Sequence, residues 1–179
     1  MRVAVVGSTG SGKTTIAKKL ADSLEINNIE LDELYWQPGW KETEISEFRN
    51  AVDKASSDAE WVVDGHYGRV RDIVWSRATH VIWMDYSFFV TFGRLLKRTL
   101  VRAVTRRELF NGNRESLRMS FLSGDSILIW MIKTYKRRKA QYPQLFQQPE
   151  YSHLEVMRIQ SRRDEAAVLS QLINNKDVR

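Results

Sequence analysis

An apolar, strand-like run, Arg2-Val-Ala-Val-Val6, opens directly into Gly7-Ser-Thr-Gly-Ser-Gly12-Lys13-Thr14, and no other feature constrains the fold of this 179-residue chain as strongly. The spacing GxxxxGK[ST] needs its glycines because successive backbone N–H groups must turn inward around an anion with no Cβ in the way. The helix that follows aims its positive end at the same point. Gly7, Ser8, Thr9, Gly10, Ser11 and Gly12 then cradle the phosphates of a nucleoside triphosphate, and Lys13 reaches the β- and γ-phosphates. Thr14 places its hydroxyl on Mg²⁺, and Thr15, one step along the helix, bonds the α-phosphate. The bland alternative is a glycine-rich turn without a ligand, a pattern that chance supplies in under about 1% of chains this long.

At this length the chain reads as one domain, residues 1–179, that buries about 70% of its unfolded surface. It has no cysteine, which excludes disulfides and thiol chemistry and fits a reducing compartment. Met1 leads straight into the first strand, and the longest apolar stretches, such as Ile127–Ile132, fall far short of the roughly 20 residues of a spanning helix. The expectation is a soluble cytoplasmic protein with no membrane partner. The net charge of +6 is unevenly placed: residues 87–141 hold 13 Lys and Arg against 3 Asp and Glu, whereas the rest holds 15 against 19. A basic block on a mildly acidic scaffold points to an anionic ligand handled by one region.

Periodicity predicts a helix over 13–24, ended by Asn27-Asn28, and a short strand at 29–31. A helix over 42–57 precedes three further strands, at 61–64, 80–85 and 153–159. Ser161 is read as the cap of a closing helix through Leu172. Short apolar strands alternating with helices imply an α/β fold: a three-layer α/β/α arrangement around a mostly parallel, five-stranded sheet. The fourth and fifth strands are separated by far more chain than one crossover needs. Residues 87–141 are therefore read as a basic helical, lid-like insertion. It has a helix from about Phe88 to Leu109, a break at Asn111-Gly-Asn113, and a helix from about Ser126 to Ala140 that Tyr142-Pro143 interrupts.

Two carboxylates sit at expected strand ends, where parallel sheets face their ligand crevice. Asp64 is assigned to the Mg²⁺ shell and a second contact with substrate, and Asp32 to the hydroxyl, and the proton, of a phosphate acceptor. The alternative for either residue is a cap on the next helix. Gly65 follows Asp64 where a hydrolytic enzyme would carry an acidic residue, which argues against a machine built to hydrolyse ATP. No guanine-reading Asn-Lys-x-Asp is present. Arg94, Arg98, Arg102 and Arg106 recur every fourth residue, so only two or three can face one ligand; Arg98 is a candidate for stabilising the migrating phosphoryl group, and Arg102 and Arg106 are read as a solvated face. Lys133, Lys136, Arg137, Arg138 and Lys139 are likewise read as a solvated face. Tyr35, Trp36 and Trp40, in what reads as a loop after Asp32, wall a pocket or pack beneath the insertion. His66 and Tyr67 share the crevice, Arg69 or Arg71 touches an acceptor anion, and His80 is structural. The three histidines are too scattered for a metal site.

These pieces resemble the P-loop kinases of the adenylate, shikimate and gluconate kinase group. Asp64-Gly65 is similar to the Asp-Gly of adenylate kinases, with His66-Tyr-Gly68 in place of Phe-Pro-Arg, and Arg94-Leu-Leu-Lys-Arg98 is similar to the Arg-x-x-x-Arg at their lid. That resemblance implies Arg94 against adenine and Arg98 on phosphate. Nearly the whole chain also resembles the bacterial topology modulation proteins, through Leu31–Trp40, Trp61–Tyr67 and Asn111-Gly-Asn-Arg-Glu-Ser116. It places Arg114 and Glu115 in the lid as further ATP contacts, and the family name implies an influence on DNA supercoiling. The leading expectation is an ATP- and Mg²⁺-dependent phosphotransferase acting on a small hydroxyl- or phosphate-bearing acceptor. The alternatives are a DNA-associated ATP-binding regulator, whose basic block contacts phosphate backbone, and a non-catalytic nucleotide-binding protein. Nothing in the sequence reads out an oligomeric state.

Overall fold

The computed structural model describes residues 1–105, 108–113 and 126–177. The first strand, β1 (Arg2–Gly7), is apolar on both faces and lies at the centre of the sheet. Around it, β2 (Asn27–Glu30), β5 (Trp61–Asp64), β6 (His80–Met84) and β7 (Glu155–Ile159) complete five parallel strands in the order β2-β5-β1-β6-β7. Register sets Val5 beside Asp64 and Gly7 beside Met84, so the phosphate-type loop and the carboxylate leave the sheet at one edge.

Side-chain alternation divides the core into two layers. Val3, Val5, Val62 and Ile82 face α1 (Lys13–Leu24) and α7 (Arg162–Asp177), whose Ile16, Leu20 and Leu172 are fully buried. Ala4, Val6, Val63 and Trp83 face the other way, against α3 (Ile45–Ala55), α4 (Arg71–Arg77) and the end of α6 (Ile127–Phe146). The segment between β6 and β7 supplies α5 (Phe88–Thr105) and α6, joined by a small core of Leu95, Leu128, Met131 and Tyr135. Ser161 caps α7 as read from the sequence: its hydroxyl accepts from Asp164 N–H at 3.2 Å while Asp164 Oδ2 accepts from Ser161 N–H at 2.9 Å.

Several boundaries move. Helix α1 ends at Glu25, which takes a left-handed backbone with φ 53°, so Asn27 and Asn28 belong to β2 and not to a helix stop. A polar strand suits this position because β2 is an edge. Leu31 begins a short helix, α2 (Leu31–Tyr35), and the expected loop after it is a hairpin in which β3 (Trp36–Gln37) pairs with β4 (Lys41–Glu42). Helix α5 is described through Thr105, and Leu109, the expected end, is not helical. Pro143 does not end α6. A proline inside a helix costs about 3 kcal/mol, and here burial of Tyr142 and Leu145 and the stacking of Phe146 on Tyr142 and Trp75 hold the last turn in place. Among the described residues no helix is long and apolar enough to cross a membrane.

Candidate active site

The loop between β1 and α1 curls back on itself, with Ser11 N–H donating to Ser8 C=O at 3.1 Å and Lys13 Nζ donating to the same carbonyl at 3.1 Å. Gly10 has φ +84°, and a Cβ there would come within 2.6 Å of Thr91 C=O on α5. The glycine therefore serves contact with α5 as well as loop curvature. Arg94 reinforces that contact: its Nη1 donates to Ser11 C=O at 3.0 Å, and its guanidinium lies 4.2 Å over the Tyr86 ring. Thr14 and Thr15 are exposed on the first turn of α1.

Asp64, 6% exposed, lies beside Lys13 and the Thr14 hydroxyl. Burial raises its pKa, against the pull of Lys13 and Thr14. The same burial lowers the pKa of Lys13, opposed by Asp64 and Asp32. Asp64 Oδ1 is buried with no hydrogen-bond partner among the described residues. Together with the neighbouring hydroxyl, that orphaned oxygen fits one hard divalent cation completed by water and phosphate oxygens. Among the described residues no group of three or more His, Asp or Glu could hold a metal by itself.

Asp32 stands in the first turn of α2, and its carboxylate accepts a short hydrogen bond from the Tyr67 hydroxyl. Tyr67 is held by ring contacts to Tyr35 at 4.6 Å and Phe48 at 5.3 Å, and burial together with Asp32 drives its pKa far up, so it remains a proton donor. His66 lies edge-on to Tyr142 at 5.1 Å; burial, then Arg138, Arg71 and Lys13, push its pKa down to about 3, so the ring is neutral. A small hollow of about 10 Å³ lies beside these groups, lined by Leu31, His66, Tyr67, Arg71 and Trp75. Arg71 Nε is buried there with no hydrogen-bond partner among the described residues.

The sequence reading misses one member of this cluster and one contact of another. Arg138, assigned to a solvated face, is half-buried: it lies 4.4 Å over the Trp130 ring, close enough to Lys13, Asp32, Tyr67 and His66 to act on or feel their charges. Its signal was present, because Met131, Tyr135, Arg138 and Tyr142 follow the spacing of one helix face, the face that packs inward. Lys139 keeps an exposed side chain but pairs at 3.2 Å with buried Asp85, which also accepts from Arg158 and Gln160. Lys133, Lys136 and Arg137 remain exposed as expected. Tyr67 is the other: its place in the crevice was foreseen, its bond to Asp32 was not.

The other candidates divide. Arg98 is half-buried on α5 and acts on the charges of Lys13 and Asp64. Arg102 is half-buried too, not fully solvated. Tyr35 is a core residue, 7% exposed against Phe48, while Trp36 and Trp40 meet edge to face at 5.6 Å on the hairpin. Arg69 is exposed on a short 3-10 turn over Gly68–Val70. His80 bonds Thr79 and pairs with Glu155 at the far end of the sheet, in a structural role. Arg106, Arg114 and Glu115 lie outside the described residues.

No family model matches the chain. It is 34% identical over 80 residues to a Pyrococcus abyssi protein named "Putative adenylate kinase", a match that spans 41% of this chain and 44% of that protein, less than half of either. A gluconokinase from Sinorhizobium meliloti superposes with a TM-score of 0.54 at 17% identity, covering 99% of this chain and 95% of that one. A shikimate kinase from Bacteroides thetaiotaomicron gives 0.55 at 16%, with 99% and 98% covered. The parallel sheet, the loop at its edge and these likenesses define the class: the chain has the fold of the P-loop kinase-like group.

Proposed function

We propose that the chain transfers the γ-phosphoryl group of ATP to a small acceptor bearing a hydroxyl or phosphate group. The convergence of Lys13, Asp64, Asp32 and the inward-turned Arg98 and Arg138 at one sheet edge carries this reading. Gly7 to Gly12, with Thr15, hold the phosphates of ATP, Arg94 and Arg114 add contacts from the 87–141 insertion, and Thr14 and Asp64 hold Mg²⁺. That ion, when bound, neutralises phosphate charge. Asp32, oriented by Tyr67, accepts the proton of the attacking acceptor oxygen. As the new O–Pγ bond forms, the bond from Pγ to the β-bridging oxygen breaks and ADP leaves. Lys13, Arg98 and Arg138 stabilise the charge spread over the migrating group.

The acceptor lies beside Asp32, with Asp64, His66, Arg69, Trp36 and Trp40 as its contacts and Tyr35 packed against Trp36 and Tyr67. Such a donor and acceptor fit a cytoplasmic protein. The inward turn of Arg94, Arg98 and Arg138 favours this reading over a DNA-binding one, which would keep those charges outward. Incubation with Mg-ATP and pooled metabolites tests it. A phosphorylated product is expected, absent with Lys13→Ala; nucleotide binding with no product from any pool contradicts it.

A further inference from the structure

Two elements far apart in sequence are tied by four side-chain hydrogen bonds. Asn113, 4% exposed, uses every polar atom of its side chain: Oδ1 accepts from Trp40 N–H at 2.8 Å, and Nδ2 donates to Gln37 C=O at 2.9 Å and Phe110 C=O at 2.8 Å. Asn111 Nδ2 donates to Glu33 C=O at 3.0 Å and Trp36 C=O at 2.6 Å. The carbonyls of residues 33, 36 and 37 and the N–H of residue 40 all belong to α2 and the hairpin directly after Asp32. The asparagines stand in the segment that continues from α5, the helix carrying Arg94 and Arg98.

Backbone conformation marks the tie as more than surface contact. Trp40 has φ 59°, a left-handed value that a bulky aromatic residue adopts only when its surroundings impose it. The hydrogen bond that its N–H gives to Asn113 is among the contacts that do so. Opposite it, Asn111 has φ 52° and Gly112 φ 79°, a left-handed pair that asparagine and glycine tolerate and that aims both amides at the hairpin. The chain thus spends one strained and one permissive backbone segment to hold residues 110–113 against the hairpin bearing Trp36 and Trp40.

We infer that Asn111 and Asn113 form a clasp that couples the nucleotide-side helix α5 to the acceptor-side hairpin, so that nucleotide binding orders the acceptor wall before an acceptor arrives. This rests on the phosphotransferase reading for which site is which. Both asparagines are positioning residues: they touch no reacting group. The clasp supplies the physical connection through which a ligand on Arg94 and Arg98 reaches the hairpin.

Backbone amide exchange at Trp40, read by NMR with and without Mg-bound adenylyl imidodiphosphate, tests the clasp. In the native chain the Trp40 amide is protected, and the analogue slows its exchange by about fivefold or more. Asn113→Ala should speed exchange in the free protein by about tenfold and abolish the response to the analogue. Asn111→Gly keeps the left-handed backbone and serves if Asn113→Ala fails to fold. It too should lose the response, whereas Asn113→Asp, which retains the acceptor for Trp40 N–H, should keep part of it. A separate titration of the analogue separates the two readings. Binding with an unresponsive Trp40, or an undiminished response in Asn111→Gly, overturns the clasp alone; no binding removes the phosphotransferase reading and the coupling with it.

Discussion

The two walls of the crevice are built by different means. The donor wall, Gly7 to Thr14, is backbone: its curvature comes from left-handed glycines and its capacity for anions from N–H groups, so one short stretch suffices. The acceptor wall is assembled from single side chains delivered by separate elements: Asp32 on α2, Tyr67 beyond β5, Arg71 on α4 and Arg138 on α6. A backbone wall fails as a unit, together with the α5 contact it supports. A side-chain wall loses one function at a time. Substitutions on the acceptor side should therefore separate transfer from nucleotide binding, and donor-side substitutions should not.

Lys13→Ala should show the largest effect, a fall in phosphoryl transfer of about a thousandfold or more, measured by product formation from Mg-ATP. On the other wall, Asp32→Asn and Arg138→Gln should each lower transfer by about a hundredfold while nucleotide affinity stays within about threefold. An equal loss of nucleotide affinity would erase the distinction between the walls.

Gly10→Ala tests the donor wall as a scaffold. A Cβ there meets the Thr91 carbonyl at 2.6 Å on a backbone with φ +84°, so a loss of about 2 kcal/mol in unfolding free energy is expected by chemical denaturation. His66 gives a pH test of the acceptor wall. Its pKa lies at about 3 in the fold, below the 6.5 of the free side chain, so unfolding takes up a proton between those values. Stability should fall as pH drops through that window, and His66→Gln should flatten the slope. Lys136→Gln, on the exposed side of α6, should change stability by less than about 0.5 kcal/mol.

The donor wall was legible in sequence because its chemistry is local: glycine spacing fixes the backbone, and the strand before and helix after it complete the motif. Asp32 and Asp64 were legible for a related reason, since strand ends in a parallel sheet share one edge. Arg138 was not, because a basic run on a helix reads as solvated until the partner of its inner face is known. The same holds for Tyr67, whose bond to Asp32 depends on where α2 begins, and the sequence suggested a strand at Leu31. Pro143 misled because local propensity favours a break there, whereas Tyr142, Leu145 and Phe146 gain enough by packing to override it. The hairpin at Trp36 escaped notice because its strands are two residues each and depend on the segment around Asn113 for support.

The central claim is that Asp32 belongs to the transfer step and not to nucleotide binding. Transfer of label from Mg-[γ-³²P]ATP to a pooled-metabolite acceptor, followed in the native chain and in Asp32→Asn with the affinity of the ATP analogue measured on both, tests it most directly. The account predicts labelled product from the native chain, about a hundredfold less from Asp32→Asn, and matching affinities. Undiminished label transfer by Asp32→Asn, or bound nucleotide with no labelled acceptor from the native chain, would contradict it.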